Sequence, residues 1–417
     1  MSRIVLATWG SLGDLHPFLA IGLGLRDRGH DVVLATLERY RTKVEDWGLE
    51  FQAIRPELPE DPQMIDRIIN SKTGPEAVLK DLILGNVRDT YNDLIRIVQD
   101  ADFLVAHEIL YAVPLVAETL NLRWASISLA PATFFSAHDP IVTSASPALA
   151  KAYYLGPVVN SWVIEFIKCA TRSWGEPLYK LRKELGLAPA QNPIVGKNKY
   201  SPYLTLALFS SVLGAPRPDW PPNVVTTGFT FYDGSQEQSL SPELDSFLNS
   251  GDPPLVFTLG SAMVSAPGDF YTESLKAAVK LGRRAVLLLG ENPPPANLPA
   301  SIFACDYAPY SELFPRACAI IHQGGAGTTA QALKAKRPTL IMPFTFDQPD
   351  NADRVQKLGT SRTIMRKKYL APRIVKELNR LLDDPGYAAS AEEVGLIVRA
   401  ENSVGAACDA IEKQLRK

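Results

Sequence analysis

The stretch of residues 307–354, YAPYSELFPRACAIIHQGGAGTTAQALKAKRPTLIMPFTFDQPDNADR, decides the fold. Its apolar segment 318–321 reads as a short buried parallel strand that ends at His322. The small-residue turn 323–329, QGGAGTT, comes next, and good helix formers occupy 330–334. A strand feeding a glycine-rich turn into a helix start is a ready anion site. The glycines let the backbone approach closely, and the free N–H groups and dipole of the helix N-terminus favour phosphate. A second strand over 339–342 closes at Pro343 and opens onto Asp347 and Gln348, two polar side chains suited to sugar hydroxyls. A phosphate cradle beside a hydroxyl reader points to a nucleotide-sugar site.

The strand–helix–strand pattern extends through the rest of the chain. Residues 4–9 form an apolar run with β-branched content, Pro17 is read as the start of a helix, and that helix ends near Arg28-Gly29 before a strand over 32–36. A second such unit runs from the strand 103–106 through a helix over 114–120 to the strand 124–129. These are the units of a doubly wound parallel sheet. The alternation weakens over 58–100 and 131–198, where helix-period segments carry aromatics such as Phe134, Phe135, Tyr153, Tyr154, Trp162, Phe166 and Trp174. Such insertions over the carboxyl ends of the first sheet could line an apolar pocket or be plain core. Alternation resumes at the strand 254–259 and continues through a helix over 270–281 and a strand over 285–289. The expected organisation is an N-terminal acceptor domain (1–225), a Pro/Gly/Ser-rich linker (226–250), a C-terminal donor domain (251–400) and a final helix (401–417) crossing back to the first domain.

With 417 residues, two domains are the default. A net charge of −2 argues against a nucleic-acid surface. The four cysteines lack CxxC spacing, which predicts a reducing compartment with neither a disulfide frame nor a zinc site. The chain opens directly on a strand without signal-peptide architecture, and no apolar run is long enough to span a bilayer. The expectation is a cytoplasmic protein. Asp100-Ala101-Asp102 is formally DxD but reads as a solvated turn, and the GLG of Gly22 to Gly24 lies inside a helix, where it is no dinucleotide fingerprint.

Three groups of residues, GSLGDLHPF (10–18), DWPPNVVTTGFTFYDGS (219–235) and YAP with HQGGAGTT and FDQPDNADR at the C-terminal end, together carry a resemblance over nearly the full length. The chain resembles the GT-B glycosyltransferases of the family 1, UDP-glycosyltransferase-like group, and within it the bacterial small-molecule and rhamnolipid-type enzymes. The resemblance implies an α/β fold of two Rossmann-like, doubly wound parallel-sheet domains facing a cleft. It also implies hexosyl transfer from a UDP- or dTDP-sugar to a hydroxyl of a small hydrophobic acceptor. No cofactor, metal, nucleic acid or integral membrane segment is expected.

In that resemblance Asp14 stands where plant members carry a catalytic His. An acceptor hydroxyl with a high pKa must lose its proton as it attacks, and a carboxylate can take it; Asp is also a common helix cap, a role compatible with the first. His107 falls where plant members place the Asp that orients their base, and His16 is a second candidate partner. His322 resembles the pyrophosphate-binding histidine, with Gly13, Ser261, Gly325, Gly327 and Thr328 as further donor contacts and Asp347 and Gln348 as sugar readers. Tyr307 replaces a base-stacking Trp, Ala308 offers its backbone to the base, and Ala330 replaces a ribose-binding Glu. Phe134 and Phe135 are candidate acceptor contacts with His16. Two other classes stay open on sequence: a nucleotide-sugar epimerase of the same architecture, and a non-catalytic nucleotide-sugar binder.

Overall fold

The computed structural model describes residues 1–70, 72–143, 155–232, 239–295 and 297–417, so Tyr153 and Tyr154 and the 233–238 part of the expected linker lie outside the described residues. The chain divides into two units, Met1–Phe231 with Asn402–Lys417, and Tyr232–Glu401.

In the first unit seven parallel strands form one sheet: β1 (Arg3–Ala7), β2 (Asp31–Thr36), β3 (Glu50–Ala53), β4 (Phe103–His107), β5 (Trp124–Ser128), β6 (Thr205–Ala207) and β7 (Val224–Thr226). Their spatial order is β3-β2-β1-β4-β5-β6-β7. Ile4 to Ala7 and Phe103 to Ala106 are wholly buried, as a parallel sheet covered on both faces demands. The helix after β1 runs from Leu12 to Asp27, with Ser11 as its cap, so Pro17 lies inside it and does not begin it. The reciprocal Ser11–Asp14 capping box sets the start five residues earlier than proline alone suggests. The GLG run sits well inside this helix, away from the turn. Asp102 accepts from the Arg3 N–H at the amino end of β1, and Asp100 pairs with the Arg3 guanidinium. The formal DxD is therefore at the opposite end of the sheet from the β1 turn. The helix Ser403–Leu415 belongs to this unit, held by Arg28 to Asp409 (2.6 Å) and Glu412 (3.1 Å) and by Arg123 to Gln414 (2.8 Å).

The second unit has six parallel strands: β8 (Leu255–Thr258), β9 (Ala285–Leu288), β10 (Ile302–Cys305), β11 (Ala319–His322), β12 (Thr339–Ile341) and β13 (Ser361–Thr363). Their order is β10-β9-β8-β11-β12-β13, the doubly wound arrangement again. Part of the expected linker is here a helix, Pro242–Asn249, capped by Ser241, with Leu244 and Leu248 buried against Val256 and Ile320. Its apolar residues recur at helical spacing, and that face decides its structure over the Pro/Ser-rich composition around it. Among the described residues no helix is long and apolar enough to cross a membrane.

Candidate active site

In an open doubly wound sheet, ligands gather beyond the carboxyl ends of the strands where the strand order reverses. In the first sheet that point lies between β1 and β4. Asp14 follows β1 as the third residue of its helix, and its Oδ2 accepts from Ser11 N (2.7 Å) and Ser11 Oγ (3.0 Å). Gly10, at φ +134°, makes room for it: a Cβ there would lie 2.4 Å from Asp14 Oδ2. Asp14 therefore caps the helix through one oxygen, which accepts both bonds. The Tyr40 hydroxyl donates to Gly10 O (3.2 Å), and burial, with the Asp14 charge adding to it, pushes its pKa up to about 12, so it stays protonated.

His107 ends β4, nearly buried, with its ring 6.1 Å from the Phe18 ring and its Nδ1 without a hydrogen-bond partner. No hydrogen bond or ion pair joins it to Asp14. His16 is half-buried on the same helix as Asp14, and residues two apart on a helix do not face each other. Phe134, 6% exposed, packs against Tyr200, Phe209 and Trp220, so its ring belongs to the core. Phe135, at φ +48°, lies 5.6 Å from Lys199 Nζ. Beside it is a pair that sequence reasoning missed: Lys199 and Glu108, both buried, with 3.7 Å between Nζ and Oε2. Burial lowers the Lys199 pKa, and the Glu108 charge opposes the shift.

The corresponding point of the second sheet lies between β8 and β11. Ser261 is exposed in the short helix after β8. His322 ends β11 with no exposed surface, and burial pushes its pKa down to about 3, so the ring is neutral at pH 7. Its Nδ1 accepts from Gly324 N (3.0 Å), which puts the ring proton on Nε2; that nitrogen is buried and has no partner. Gly324 has φ +89°, and a Cβ there would lie 2.9 Å from Ile341 Cγ2 and 3.1 Å from Gln348 O. Gly325 is the N-cap of the helix Ala326–Lys334, and a Cβ on Gly327 would meet nothing within 4 Å. Thr328 is buried and hydrogen-bonds Tyr310, whose hydroxyl also lies 2.8 Å from Thr258 Oγ1. Gln323 went unread in the sequence. Its amide, 3% exposed, lies against both Gly260 and Gly325, and its Oε1 has no partner.

Asp347 precedes the helix Gln348–Lys357 and makes no side-chain cap bond. Its Oδ2 accepts instead from Asn351 Nδ2 (2.7 Å), which also donates to Gly324 O (3.0 Å). Asn351 thus ties the glycine turn to the Asp347 loop, and its only sequence signal is the four-residue spacing from Asp347. The Gln348 Oε1 accepts from Phe344 N (2.9 Å), which fixes the amide in a side chain only 4% exposed. Phe346, at φ +57°, carries backbone strain immediately before this pair. Tyr307 is 66% exposed, Ala308 is buried beside it, and Ala330 is buried in the helix after the glycine turn. Among the described residues no group of three His, Cys, Asp or Glu side chains is placed to hold a metal ion.

Residues 4–119 match the glycosyltransferase family 28 N-terminal domain, and residues 272–406 match the erythromycin biosynthesis protein CIII-like C-terminal domain. The chain is 33% identical to the O-mycaminosyltylonolide 6-deoxyallosyltransferase of Streptomyces fradiae, over 99% of this chain and 97% of that one. It is 29% identical to a sterol 3-beta-glucosyltransferase of Arabidopsis thaliana, over 99% of this chain and 66% of that protein. Its fold is similar to that of the kitacinnamycin glycotransferase, with a TM-score of 0.76, 20% identity and 99% of each chain covered.

Proposed function

The chain belongs to the GT-B glycosyltransferases of the family 1 type, and from that premise we propose an inverting, metal-independent enzyme that moves a hexosyl group from a UDP- or dTDP-sugar to a hydroxyl of a small hydrophobic acceptor. The observation that carries the donor half is His322. A neutral imidazole with Nδ1 satisfied and a buried Nε2–H without an acceptor is a donor preset for a phosphate oxygen. The Gly325, Gly327 and Thr328 helix start adds N–H groups and its dipole to the same diphosphate. Asp347 and the Gln348 amide read the sugar hydroxyls, and Tyr307 and Ala308 face the nucleobase.

Asp14 is the general base. With Oδ2 held by Ser11, the carboxylate is fixed in direction, and Oδ1 takes the acceptor proton as the hydroxyl oxygen attacks the anomeric carbon. The bond to the nucleoside diphosphate breaks on the opposite face, and the charge left on the diphosphate is met by His322 and the helix start. The relatives' names, one for O-mycaminosyltylonolide and one for a sterol, support a small-molecule acceptor.

A thermal-shift panel of UDP- and dTDP-sugars tests the donor half, because ligand binding to the native state raises the melting temperature. Stabilisation by one nucleotide class, followed by glycoside formation with hydroxylated acceptors, is the expected result. No stabilisation by any nucleoside diphosphate sinks the proposal. Conversion of the bound sugar to an epimer without acceptor, or binding with no transfer to any acceptor, replaces it with the epimerase or binder reading.

A further inference from the structure

The helix Pro157–Thr171 of the first unit is apolar on both sides. Ile164 and Ile167 pack on that unit's core. The opposite side carries Val158, Trp162 and Phe166, which are 66%, 70% and 69% exposed, with Leu155 just before the helix at 68%. Steps of four residues set the three helical positions on one stripe, and the exposed face around it holds Pro157, Ser161, Cys169 and Ala170 together with Glu165, which pairs with Lys168. Scattered surface hydrophobics are normal, whereas large apolar side chains aligned on the outward side of a helix that already packs its other side on a core mark a surface meant to be covered.

The size of the face and its charge select the cover. With aromatic side chains burying roughly 150–250 Å² each, these four side chains leave on the order of 500 Å² of apolar surface in water. Two copies placed face to face would bury about 1,000 Å² from these side chains alone, and the small residues beside them bring the contact into the roughly 1,200–2,000 Å² range of specific interfaces. Glu165 and Lys168 are the only charged residues within the helix, and they pair with each other. A helix that lies on a bilayer carries a Lys/Arg-rich polar face, which this one lacks.

The stripe is also self-complementary. When the helix is laid antiparallel on its own copy with Trp162 at the centre, Val158 meets the copy's Phe166, Phe166 meets the copy's Val158, and the two Trp162 rings meet each other. Each large side chain away from the centre faces a smaller one, and the contact is isologous, as a two-fold dimer requires. We propose that the outward face of Pro157–Thr171 is a homodimer contact, in which two copies of this chain pair antiparallel across a two-fold axis at Trp162. The proposal is independent of the reaction assigned above.

Light scattering on the full chain across a dilution series tests it. Wild type should run at twice the monomer mass, and Trp162→Glu should run as a monomer that still melts cooperatively, since the side chain is exposed within one copy, and with a midpoint that no longer depends on protein concentration. In a Cys169→Ser background, Trp162→Cys should form an intermolecular disulfide under mild oxidation, because a residue on the axis meets its own copy, and Cys169→Ser alone should not. A wild-type monomer at every concentration, or a Trp162→Glu dimer, overturns the proposal. So does a wild-type dimer whose Trp162→Cys variant stays unlinked, which removes the two-fold register. A wild-type monomer that floats with phosphatidylcholine–phosphatidylglycerol vesicles overturns it in favour of a membrane contact.

Discussion

Lowering the pH from 7 to 5 should destabilise the C-terminal unit through His322 alone. In the unfolded chain this imidazole takes up a proton near pH 6.5, whereas burial in the fold holds its pKa down to about 3. Between those values the unfolded state binds the extra proton, so this contribution is whole above pH 6.5 and is lost as pH falls below it. The slope is about 1.4 kcal/mol per pH unit, which gives about 2 kcal/mol between pH 7 and pH 5. Urea unfolding of wild type and His322→Gln at both pH values isolates the effect, because every other titrating group acts in both proteins and cancels. Wild type should lose about 2 kcal/mol more than the variant over this interval. Equal losses, or a His322 ring that titrates near pH 6.5 by histidine-labelled NMR, would refute the buried neutral imidazole and with it the preset Nε2–H.

Asp14→Asn keeps an oxygen to accept from Ser11 but has no basicity, so kcat should fall by about 10²–10⁴ with the donor-induced thermal shift intact; a near-native rate removes Asp14 from the base role. Asp14→Ala should in addition lower stability by about 1 kcal/mol through the lost capping box, measured by thermal melting. Gly324→Ala places a Cβ in the left-handed region and against Gln348 O, and should cost at least about 2 kcal/mol while abolishing the donor-induced shift. Arg354→Met takes the cation 2.6 Å from the buried Asp350 carboxylate and should destabilise the second unit by about 3–5 kcal/mol, read as a lowered urea midpoint.

The strands legible in the sequence were those with continuous apolar runs: β1, β2, β4, β5, β8, β9, β11 and β12 all begin and end within two residues of the pattern. β3, β6, β7 and β13 carry no run of four apolar positions to stand out from a loop, and β10, whose four residues Ile302–Cys305 are all apolar, is absent from the expected strands although its pattern is like that of β9. Pro17 misled because proline marks a helix start only when no stronger cap precedes it, and Ser11 with Asp14 is stronger. The glycine turn at 323–329 was readable because backbone chemistry leaves its mark in residue type. Gln323 and Asn351 were not, because their roles come from what folding sets beside them: Gly260 on a different strand's turn, and the Gly324 carbonyl 27 residues away.

The two sheets share one winding, so the places they offer to ligands can be matched. β4 and β11 occupy the same position in their sheets, and each ends in a histidine with one ring nitrogen buried and without a partner, Nδ1 of His107 and Nε2 of His322. The turns after β1 and β8 correspond in the same way, and carry Asp14 and Ser261. What separates the two places is charge. His107 is followed directly by Glu108, and Asp14 lies after the neighbouring strand, so two carboxylates stand at the end of the first sheet. In the second sheet His322 is followed by QGGAGTT and β8 by GSAM, with no acid in either. In the turns themselves a diphosphate would meet the Asp14 charge at the first place, where Glu108 is paired with the buried Lys199, and N–H groups, hydroxyls and a neutral imidazole at the second, with Asp347 tied to the glycine turn through Asn351. The proposed base, a carboxylate that takes a proton from a neutral hydroxyl, fits the first. The same topology used twice, with acids directly after β1 and β4 and none in the turns after β8 and β11, is the charge difference on which the proposed split of donor and acceptor between the units rests.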